Sequence, residues 1–477
     1  MENNRSSWGS NLGFLLAAIG SAVGLGNIWG FPYKMGANGG FAFLAAYLVL
    51  AAVCGFVVLL AELALGRKTG AGAVKAYRLV SKKLKWVGWL GVASAFLILS
   101  FYCALGGYCL KYLVLNLGNV LHSGFGTNGM SGGEVFNAFV GNMGESTLYG
   151  MIFVALTMLI VMGGIGDGIE RVCSVGMPVL FILLVISIIR AVTLPGAVDG
   201  LKYMFIPGWA VANGVIEEAP SIFSVISAAG GQMFFSLSVG MAIMITYGSY
   251  LDKKENLEKN ALVIVVMDTL VAILAGLCVI PARFALDPDG PLGGPGLLFI
   301  TMQNVFDRMG PVGPIFGMLF YLLVIFAAIS SSISLLEAVV VHFVDDARDR
   351  GLGDKRKKYT LIIAVLVAVL CVLVCVDGLG SNHIAPADLL HLTVKGWNDC
   401  WLDFFDMLSE GVMMPLGGLL LVLMLGFETG TDLIRDECEA TPGHRMRIYT
   451  FFKICVRVLT PIVMLIVLYG QIRAFFG

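Results

Sequence analysis

Long runs of apolar residues, separated by short polar stretches, recur along the whole chain. A helix needs about 20 apolar residues to cross the hydrocarbon core of a bilayer, and eleven runs approach or exceed that length. They are called spans 1 to 11 here and cover residues 11–35, 40–65, 87–117, 147–164, 172–193, 218–250, 259–282, 313–343, 358–377, 402–426 and 449–473. The pattern predicts an all-α integral membrane protein and leaves no stretch for a soluble domain.

Two of these spans are interrupted near their middle. Residues 21–32 of span 1 read SAVGLGNIWGFP, and residues 232–241 of span 6 read QMFFSLSVGM. Glycine and proline weaken a helix interior. If spans 1–5 and 6–10 form two halves, both breaks take the same place, and the odd number of spans inverts the second half. We therefore predict a first five-helix repeat over 1–200, an inverted repeat over 201–428, and a cytoplasmic loop with span 11 over 429–477.

A helix broken at mid-depth exposes backbone N–H and C=O groups that are costly to leave unsatisfied in hydrocarbon. An anionic group suits the N-terminal end of a half-helix, and a small cation suits freed carbonyl groups. Paired broken helices in inverted repeats are typical of a transporter's binding site at the membrane midplane. The alternative is that the glycines only allow close helix packing.

Composition and charge agree with a membrane protein, because 58% of residues are hydrophobic and 13% are charged. Lysine and arginine are concentrated in residues 67–85 and 348–358 and are absent between Lys111 and Arg171. The positive-inside rule then predicts a multi-pass protein of the plasma membrane with a cytoplasmic N-terminus and an external C-terminus. The ten cysteines and five histidines lack the spacing of a metal site. We expect the lipid bilayer and small solutes as partners, not nucleic acid, and the oligomeric state stays open.

Several polar residues fall at membrane depth. Asp268 has no basic residue near it in the sequence, and a carboxylate at this depth usually lines a pathway or pairs with a cation. It can also be a hydrogen-bonded structural acid. Span 8 contains AAISSSIS around Ser330 and Ser331, whose hydroxyls either bond back to their own helix or serve as hard oxygen ligands for an alkali cation. Tyr102 adds one hydroxyl to span 3.

SAVGLGNIWGFP, FFSLSVG, AAISSS and the N-terminal pair Arg5 and Trp8, taken together, resemble the neurotransmitter:sodium symporter family, particularly its eleven-span bacterial amino-acid transporters. The resemblance extends over essentially the whole chain and implies two sodium sites. The first consists of Ala22, Asn27, Ser236 and Asp268 together with the substrate carboxylate. The second consists of carbonyls of Gly20, Val23 and Ala327 with the hydroxyls of Ser330 and Ser331.

The resemblance also implies a substrate site and its chemistry. Gly24 stands where biogenic-amine transporters carry an aspartate, so a substrate that brings its own carboxylate is favoured. Asp268 stands where many members carry asparagine, and Ala272 where chloride-dependent members carry serine, so we expect no chloride requirement. The expected substrate-binding residues favour a large aliphatic or aromatic amino acid and are Ala22, Leu25, Gly26, Ile98, Tyr102, Phe235, Ser236, Ser238, Met241, Ser331 and Leu335.

Gate residues follow from the same resemblance. On the cytoplasmic side it implies a latch between Arg5 and Asp345, with Trp8 and Tyr250 nearby. On the external side Asp406 retains the family's acid, whereas Gly30 replaces the usual basic residue of NxxRFP. Lys34, one helical turn further on, is a substitute that reaches Asp406 directly or through water. In span 5, the spacing of Gly168 and Pro178 is that of a segment proposed to unwind and admit water to the second sodium site.

The sequence therefore predicts a sodium-coupled symporter that imports a hydrophobic or aromatic amino acid with two sodium ions and without chloride, and not an enzyme. Two alternatives stay open. One is a transporter-like sensor that moves its amino acid slowly, and the other is a symporter of another carboxylate-bearing osmolyte such as betaine. A membrane-embedded hydrolase is disfavoured because the span 8 hydroxyls lack a neighbouring base.

Overall fold

The computed structural model describes residues 7–288, 296–390 and 399–476, and the regular elements in these ranges are all helices. Within them, nine helices are long and apolar enough to cross a membrane and correspond to spans 2–5 and 7–11. Their bounds are Phe41–Thr69, Val87–Val120, Met143–Met162, Ile165–Val192, Leu257–Leu286, Gly310–Asp349, Arg356–Asp377, Trp401–Glu428 and Tyr449–Arg473. The predicted all-helical membrane fold is confirmed.

Span 1 is broken, as its glycines predict. Helix Asn11–Ala22 and helix Gly26–Ala37 meet at 45°. Ser10 caps the start of the first helix, because its side chain accepts a hydrogen bond from the Gly13 amide. Val23, which has an extended backbone, follows the end of this helix. If this bent pair is one span, ten spans are recognised among the described residues.

Span 6 is broken more widely than span 1. It consists of Ile222–Ser236 and Ile243–Gly248, and the segment between them contains Ser238, Gly240 and Ala242 with φ of 54°, 79° and 67°. A helix of 15 residues rises about 22 Å, which is short of the hydrocarbon thickness. Length and composition therefore do not establish span 6, and the total of eleven stays a prediction, as do the repeat boundaries.

Spans 3 and 8 form the centre of the helix bundle and pack against each other along their length. Within its most apolar window, Val87–Val120 has 78% of its residues buried, whereas Met143–Met162 has 33% buried. Spans 5, 9 and 11 have 39% of this window buried, so together with span 4 they lie at the periphery of the bundle. The broken spans 1 and 6 lie inside this arrangement, and their ends next to the breaks are buried.

Loops at one end of the bundle are joined by a buried arginine. Arg67, at the end of span 2, donates from Nε to Oε1 of Glu437 at 2.7 Å and from Nη1 to the Glu255 carbonyl at 2.6 Å. Glu437 belongs to the short helix Asp432–Glu439. The segments that follow spans 2, 6 and 10 are thereby held together on the side that the basic loops predict to be cytoplasmic.

Candidate substrate and sodium sites

A small buried cavity lies where the breaks of spans 1 and 6 meet spans 3 and 8. It measures about 20 Å³, which is room for about one water molecule, so an amino acid enters only when the walls move apart. All of the predicted substrate residues except Leu25 and Ser236 line it. The lining is Ser21, Ala22, Gly24, Gly26, Ile98, Tyr102, Phe235, Ser238, Met241, Ser331 and Leu335.

Gly24 is required by the close approach of three helices at this cavity. A Cβ atom built on it would lie 2.2 Å from the Ser331 Oγ and 2.6 Å from the Tyr102 hydroxyl oxygen. Tyr102 also accepts a hydrogen bond from the Leu25 amide at 2.9 Å. Two hydroxyl groups and the break of span 1 therefore form the polar end of the cavity. The prediction had not included Ser21 and Gly24 among the lining residues.

The rest of the cavity is largely apolar. Ile98, Phe235, Met241 and Leu335 form its walls, and Phe235 presses against the Gly26 backbone, where a Cβ would lie 2.8 Å from the ring. Ser238 adds a hydroxyl, which donates to the Ser21 carbonyl at 3.0 Å. This bond joins the two broken helices directly, because Ser21 lies just before one break and Ser238 lies inside the other.

Asp268 is fully buried in Leu257–Leu286 beside the break of span 1. Its Oδ1 accepts from the Asn27 Nδ2 at 2.7 Å and from the Ser236 Oγ at 2.9 Å. Its Oδ2 accepts from the Tyr47 hydroxyl at 3.1 Å. These donors are all neutral, and no ion pair joins Asp268 to a described residue. An ionised carboxylate in such a place is costly unless a cation accompanies it.

Tyr47 is the one member of this cluster that the sequence analysis missed. It lies in the run FAFLAAYLVL of span 2, and its side chain is fully buried. A hydroxyl in an otherwise apolar run was the available signal, since buried tyrosines usually find a hydrogen-bond partner. The structure brings Asn27, Ser236 and Asp268 together from three spans, as the first predicted sodium site requires.

Four residues of the second predicted sodium site lie side by side, namely Gly20, Ala327, Ser330 and Ser331. Ser331 donates from Oγ to the Ser21 carbonyl at 3.0 Å and approaches the Gly20 carbonyl at 3.3 Å. Ser330 instead donates to the Ala327 carbonyl of its own helix at 3.0 Å. Val23 ends the first helix of span 1. Ser330 therefore bonds back to its own helix, whereas Ser331 bonds across to span 1, and the sodium role of both serines stays a prediction.

Trp8 and Tyr250 meet at the end of the bundle predicted to be cytoplasmic. The Trp8 ring lies 6.3 Å from the Tyr250 ring, centre to centre, and its Nε1 donates to the Tyr247 carbonyl at 3.2 Å. Asp345 accepts from the Gly72 amide at 2.9 Å. The predicted latch partner Arg5 lies outside the described residues.

An ion pair between Glu337 and Arg356 lies at the same end and was not predicted. The Tyr250 hydroxyl donates to Oε1 of Glu337 at 2.8 Å, and Arg356 forms an ion pair with the other carboxylate oxygen. Glu337 is fully buried in span 8, and Arg356 begins span 9. The Trp8 and Tyr250 cluster is thereby anchored to spans 8 and 9 by a charged pair.

At the opposite end of the bundle, the partner of Lys34 differs from the expected one. Lys34 forms its ion pair with Glu410, one turn beyond Asp406, rather than with Asp406 itself. The physical reason is geometric, since residues four apart lie on the same helical face and Glu410 is the one that reaches Lys34. Gly30 leaves space that Gln232 fills, because a Cβ there would lie 2.9 Å from the Gln232 Oε1.

Span 5 is helical throughout in this structure. It begins after Gly164, which has a φ of 82°, with a π-helical turn over Ile165–Glu170 that contains Gly168. The α-helix Arg171–Val192 continues from it and contains Pro178. The proposed unwinding of this segment therefore stays a prediction about another conformation.

Two broken helices around a buried cavity, with an acid beside it that lacks a basic partner in the described chain, define the class of ion-coupled solute transporters. The profile of the sodium:neurotransmitter symporter family matches residues 5–147 and 135–476. The chain belongs to this family. The members of this family, which share this fold, are transporters. The chain is therefore a sodium-coupled symporter of a small solute in a membrane.

Individual relatives and a solved structure agree with this assignment. The sodium-dependent transporter YhdH of Bacillus subtilis is 34% identical over 98% of this chain and 97% of its own length. The sodium-dependent serotonin transporter of Drosophila melanogaster is 27% identical over 87% of this chain and 72% of its own length. The crystal structure of MhsT in complex with L-phenylalanine has a TM-score of 0.83 and 35% identity, covering 98% of this chain and 100% of that one.

Proposed function

We propose that this symporter imports a hydrophobic or aromatic amino acid together with sodium and without chloride. The observation that carries the proposal is the cavity itself, which has hydroxyl groups and the break of span 1 at one end and Ile98, Phe235, Met241 and Leu335 at the other. An amino acid has the same division into a polar head and an apolar side chain. The phenylalanine bound to MhsT supports this class of substrate.

Recognition of the head group rests on the backbone of span 1. No acidic side chain among the described residues lines the cavity, so a substrate amine finds no fixed negative charge from them, and a substrate that is only an amine is disfavoured. The substrate carboxylate is proposed to bind near Gly26, Tyr102 and a sodium ion. Because Tyr102 already accepts from the Leu25 amide, its hydroxyl proton is available to donate to that carboxylate.

Sodium is proposed to bind beside Asp268 and, at a second position, beside Ser331. At the first site the ion neutralises a carboxylate that has only neutral donors around it. That fixed charge removes the need for chloride, since the negative charge is part of the protein. Met241 is adaptable in shape, which supports acceptance of several large side chains rather than one.

Transport follows if these ligands bind one conformation better than the other. The Lys34–Glu410 pair is proposed to close one end of the cavity, and the Trp8 and Tyr250 cluster is proposed to close the other. Opening either end in turn exposes the cavity to one side of the plasma membrane. Sodium is proposed to favour the conformation that opens outward, so that its gradient drives import.

The test is uptake by the purified protein after it is reconstituted in liposomes. Labelled phenylalanine, leucine, alanine or betaine is added to the external solution. Sodium is replaced by potassium in one series and chloride by gluconate in another. We expect accumulation of phenylalanine or leucine that requires sodium and is unchanged in gluconate. Accumulation of betaine instead would overturn the substrate class, and loss of uptake in gluconate would overturn the role of Asp268.

One further outcome separates transport from sensing. Sodium-dependent binding of phenylalanine without accumulation, in liposomes that hold a sodium gradient, would favour the amino-acid sensor. The specific observation in its favour is the Lys34–Glu410 pair, which is mostly buried, with 18% and 8% of the side chains exposed. A slow opening of this pair would give binding with little turnover.

A further inference from the structure

A wide groove lies on the outside of the bundle, away from the transport site. It runs between span 2, span 7 and the segment that leads into span 11, and it measures about 950 Å³. Its wall is apolar and much of it is exposed, which suits a surface that faces lipid. The side chains that form this wall include Leu48, Leu262, Val266, Leu270, Ile273 and Phe451.

One end of this groove is basic. Lys259 lies in the first turn of span 7, and Arg445 and Arg447 lie just before span 11 begins at Tyr449. All three side chains are exposed, and none forms an ion pair with another residue in the described part of the chain.

The nearby acidic residues already have partners. Glu258, the one acidic residue among the described residues that line the groove, forms a hydrogen bond with the His444 ring. Glu437, on the adjoining short helix, pairs with Arg67 and Lys253, and Glu439 accepts from the Met446 amide at 3.2 Å. Since Glu437 is already paired with two basic residues, the three basic side chains outnumber the remaining acids, Glu258 and Glu439, and this end of the groove has an excess of positive charge.

The dimensions of the groove match a lipid. Fourteen residues separate Lys259 from Ile273 along one helix, which corresponds to about 21 Å at 1.5 Å per residue. This is more than the depth of one leaflet of a bilayer whose hydrocarbon core is about 30 Å thick. The basic end lies on the same side as the lysine-rich and arginine-rich loops, which the positive-inside rule assigns to the cytoplasm.

We propose that this groove binds an anionic phospholipid of the cytoplasmic leaflet. The phosphate group is held by Lys259, Arg445 and Arg447, because clusters of basic residues at the membrane surface attract anionic head groups. One acyl chain lies along Leu262, Val266 and Leu270. Charge complementarity selects this occupant over a zwitterionic lipid, whose head group carries no net charge.

The groove lies next to the helices that carry Asp268 and its hydrogen-bond donor Tyr47. Thr269 lines it and directly follows Asp268, while Ala51 and Ala52 line it from the π-helical turn of span 2. Span 2 also carries Tyr47, which donates to Asp268. A bound lipid thus holds together the two helices that supply Asp268 and one of its hydrogen-bond donors.

The test compares two lipids on one protein. The full-length protein is purified in detergent, depleted of lipid, and titrated with dioleoylphosphatidylglycerol or dioleoylphosphatidylcholine while bound lipid is counted by native mass spectrometry. We expect one tightly held phosphatidylglycerol, preferred over phosphatidylcholine by at least about tenfold. The triple variant Lys259→Gln, Arg445→Gln, Arg447→Gln is expected to lose the preference.

Two controls separate the groove from general attraction between charges. The variant Lys82→Gln, Lys83→Gln, Lys85→Gln removes three exposed basic residues of another loop and is expected to keep the preference. The variant Leu262→Trp, Val266→Trp fills the groove without changing its charge and is expected to lose the bound lipid. Soluble glycerol phosphate is expected not to compete with it.

Several outcomes would overturn the proposal. One is equal retention of the two lipids, and another is a preference that survives the triple substitution at Lys259, Arg445 and Arg447. A preference that is lost in the Lys82 control would also overturn it. So would lipid binding that persists when tryptophan fills the groove, or displacement of the lipid by glycerol phosphate. Because these measurements involve no transported solute, they stand or fall separately from the proposed substrate.

Discussion

Asp268 and Glu410 are both acidic residues buried within spans, but their partners differ in charge. Asp268 accepts hydrogen bonds from Asn27, Ser236 and Tyr47, which are all neutral. Glu410 is paired with the ammonium group of Lys34. The first cluster therefore has no fixed positive charge beside its acid, whereas in the second cluster Lys34 supplies one.

This difference separates two tasks. A buried negative charge without a fixed positive partner favours a mobile cation, which can arrive and leave. A pair of fixed opposite charges holds two helices together and needs no ligand, so it suits a gate between spans 1 and 10. The two clusters are joined through one broken helix, because Asn27 and Lys34 both belong to Gly26–Ala37.

The largest expected effect is at Asp268. Asp268→Asn removes the fixed charge, and we expect the sodium affinity, measured by sodium titration of phenylalanine binding, to fall by about 2–5 kcal/mol, at least about 30-fold. Chloride should restore part of this binding and gluconate should not. The control Tyr47→Phe removes one neutral donor and should leave binding indifferent to chloride. An unchanged sodium affinity in Asp268→Asn would mean that the carboxylate does not face the ion.

Gly24→Ala tests the geometry of the cavity next to this charge. The added methyl group would collide with Ser331 Oγ, and overpacking of this kind costs about 1–3 kcal/mol. We expect the affinity for phenylalanine to fall by about tenfold or more, measured by equilibrium binding at saturating sodium. Gly141→Ala is the control, since a Cβ there has no atom within 4 Å among the described residues. Wild-type affinity in Gly24→Ala would contradict the observed packing.

Tyr102→Phe is expected to have a smaller effect. It removes the hydroxyl that accepts from the Leu25 amide and is proposed to donate to the substrate, at a cost of about 1–1.5 kcal/mol. Phenylalanine affinity should fall about five- to tenfold. Tyr112→Phe, in the same helix, is the matched control, because the buried Tyr112 hydroxyl has no partner in the described part of the chain. Equal effects of the two substitutions would remove Tyr102 from the substrate site.

The smallest expected effect sharpens the other side of the comparison. Lys34→Met and Glu410→Gln should each speed the release of bound phenylalanine to the external side, and the double variant should add little further. A coupling of about 1 kcal/mol is expected. The exposed pair Lys202 and Asp199 is the control and should show almost no coupling. Strictly additive effects at Lys34 and Glu410 would show that the pair does not act as one gate.

The two interrupted spans show how far the sequence reaches. Gly24, Gly26 and Pro32 indicate a break in span 1, because glycine and proline weaken a helix interior, and the break is present between Ala22 and Gly26. SAVGLGNIWGFP, FFSLSVG and AAISSS indicate the family and the residues to examine. Tyr47 lies outside these motifs. Its hydroxyl in an apolar run is the one signal it carries, and that signal names no partner, since such a tyrosine fits equally well against lipid or in the core.

Hydrophobic length and backbone preference are local properties, so they are enough to predict a helical membrane protein with a break in span 1 and an acid at membrane depth. Three further features emerge only from the folded chain: Lys34 pairs with Glu410 rather than Asp406, Tyr47 completes the Asp268 cluster, and three basic residues meet at one groove. Each of these depends on which faces of separate helices come together. That choice is made by packing between residues that lie far apart in the chain.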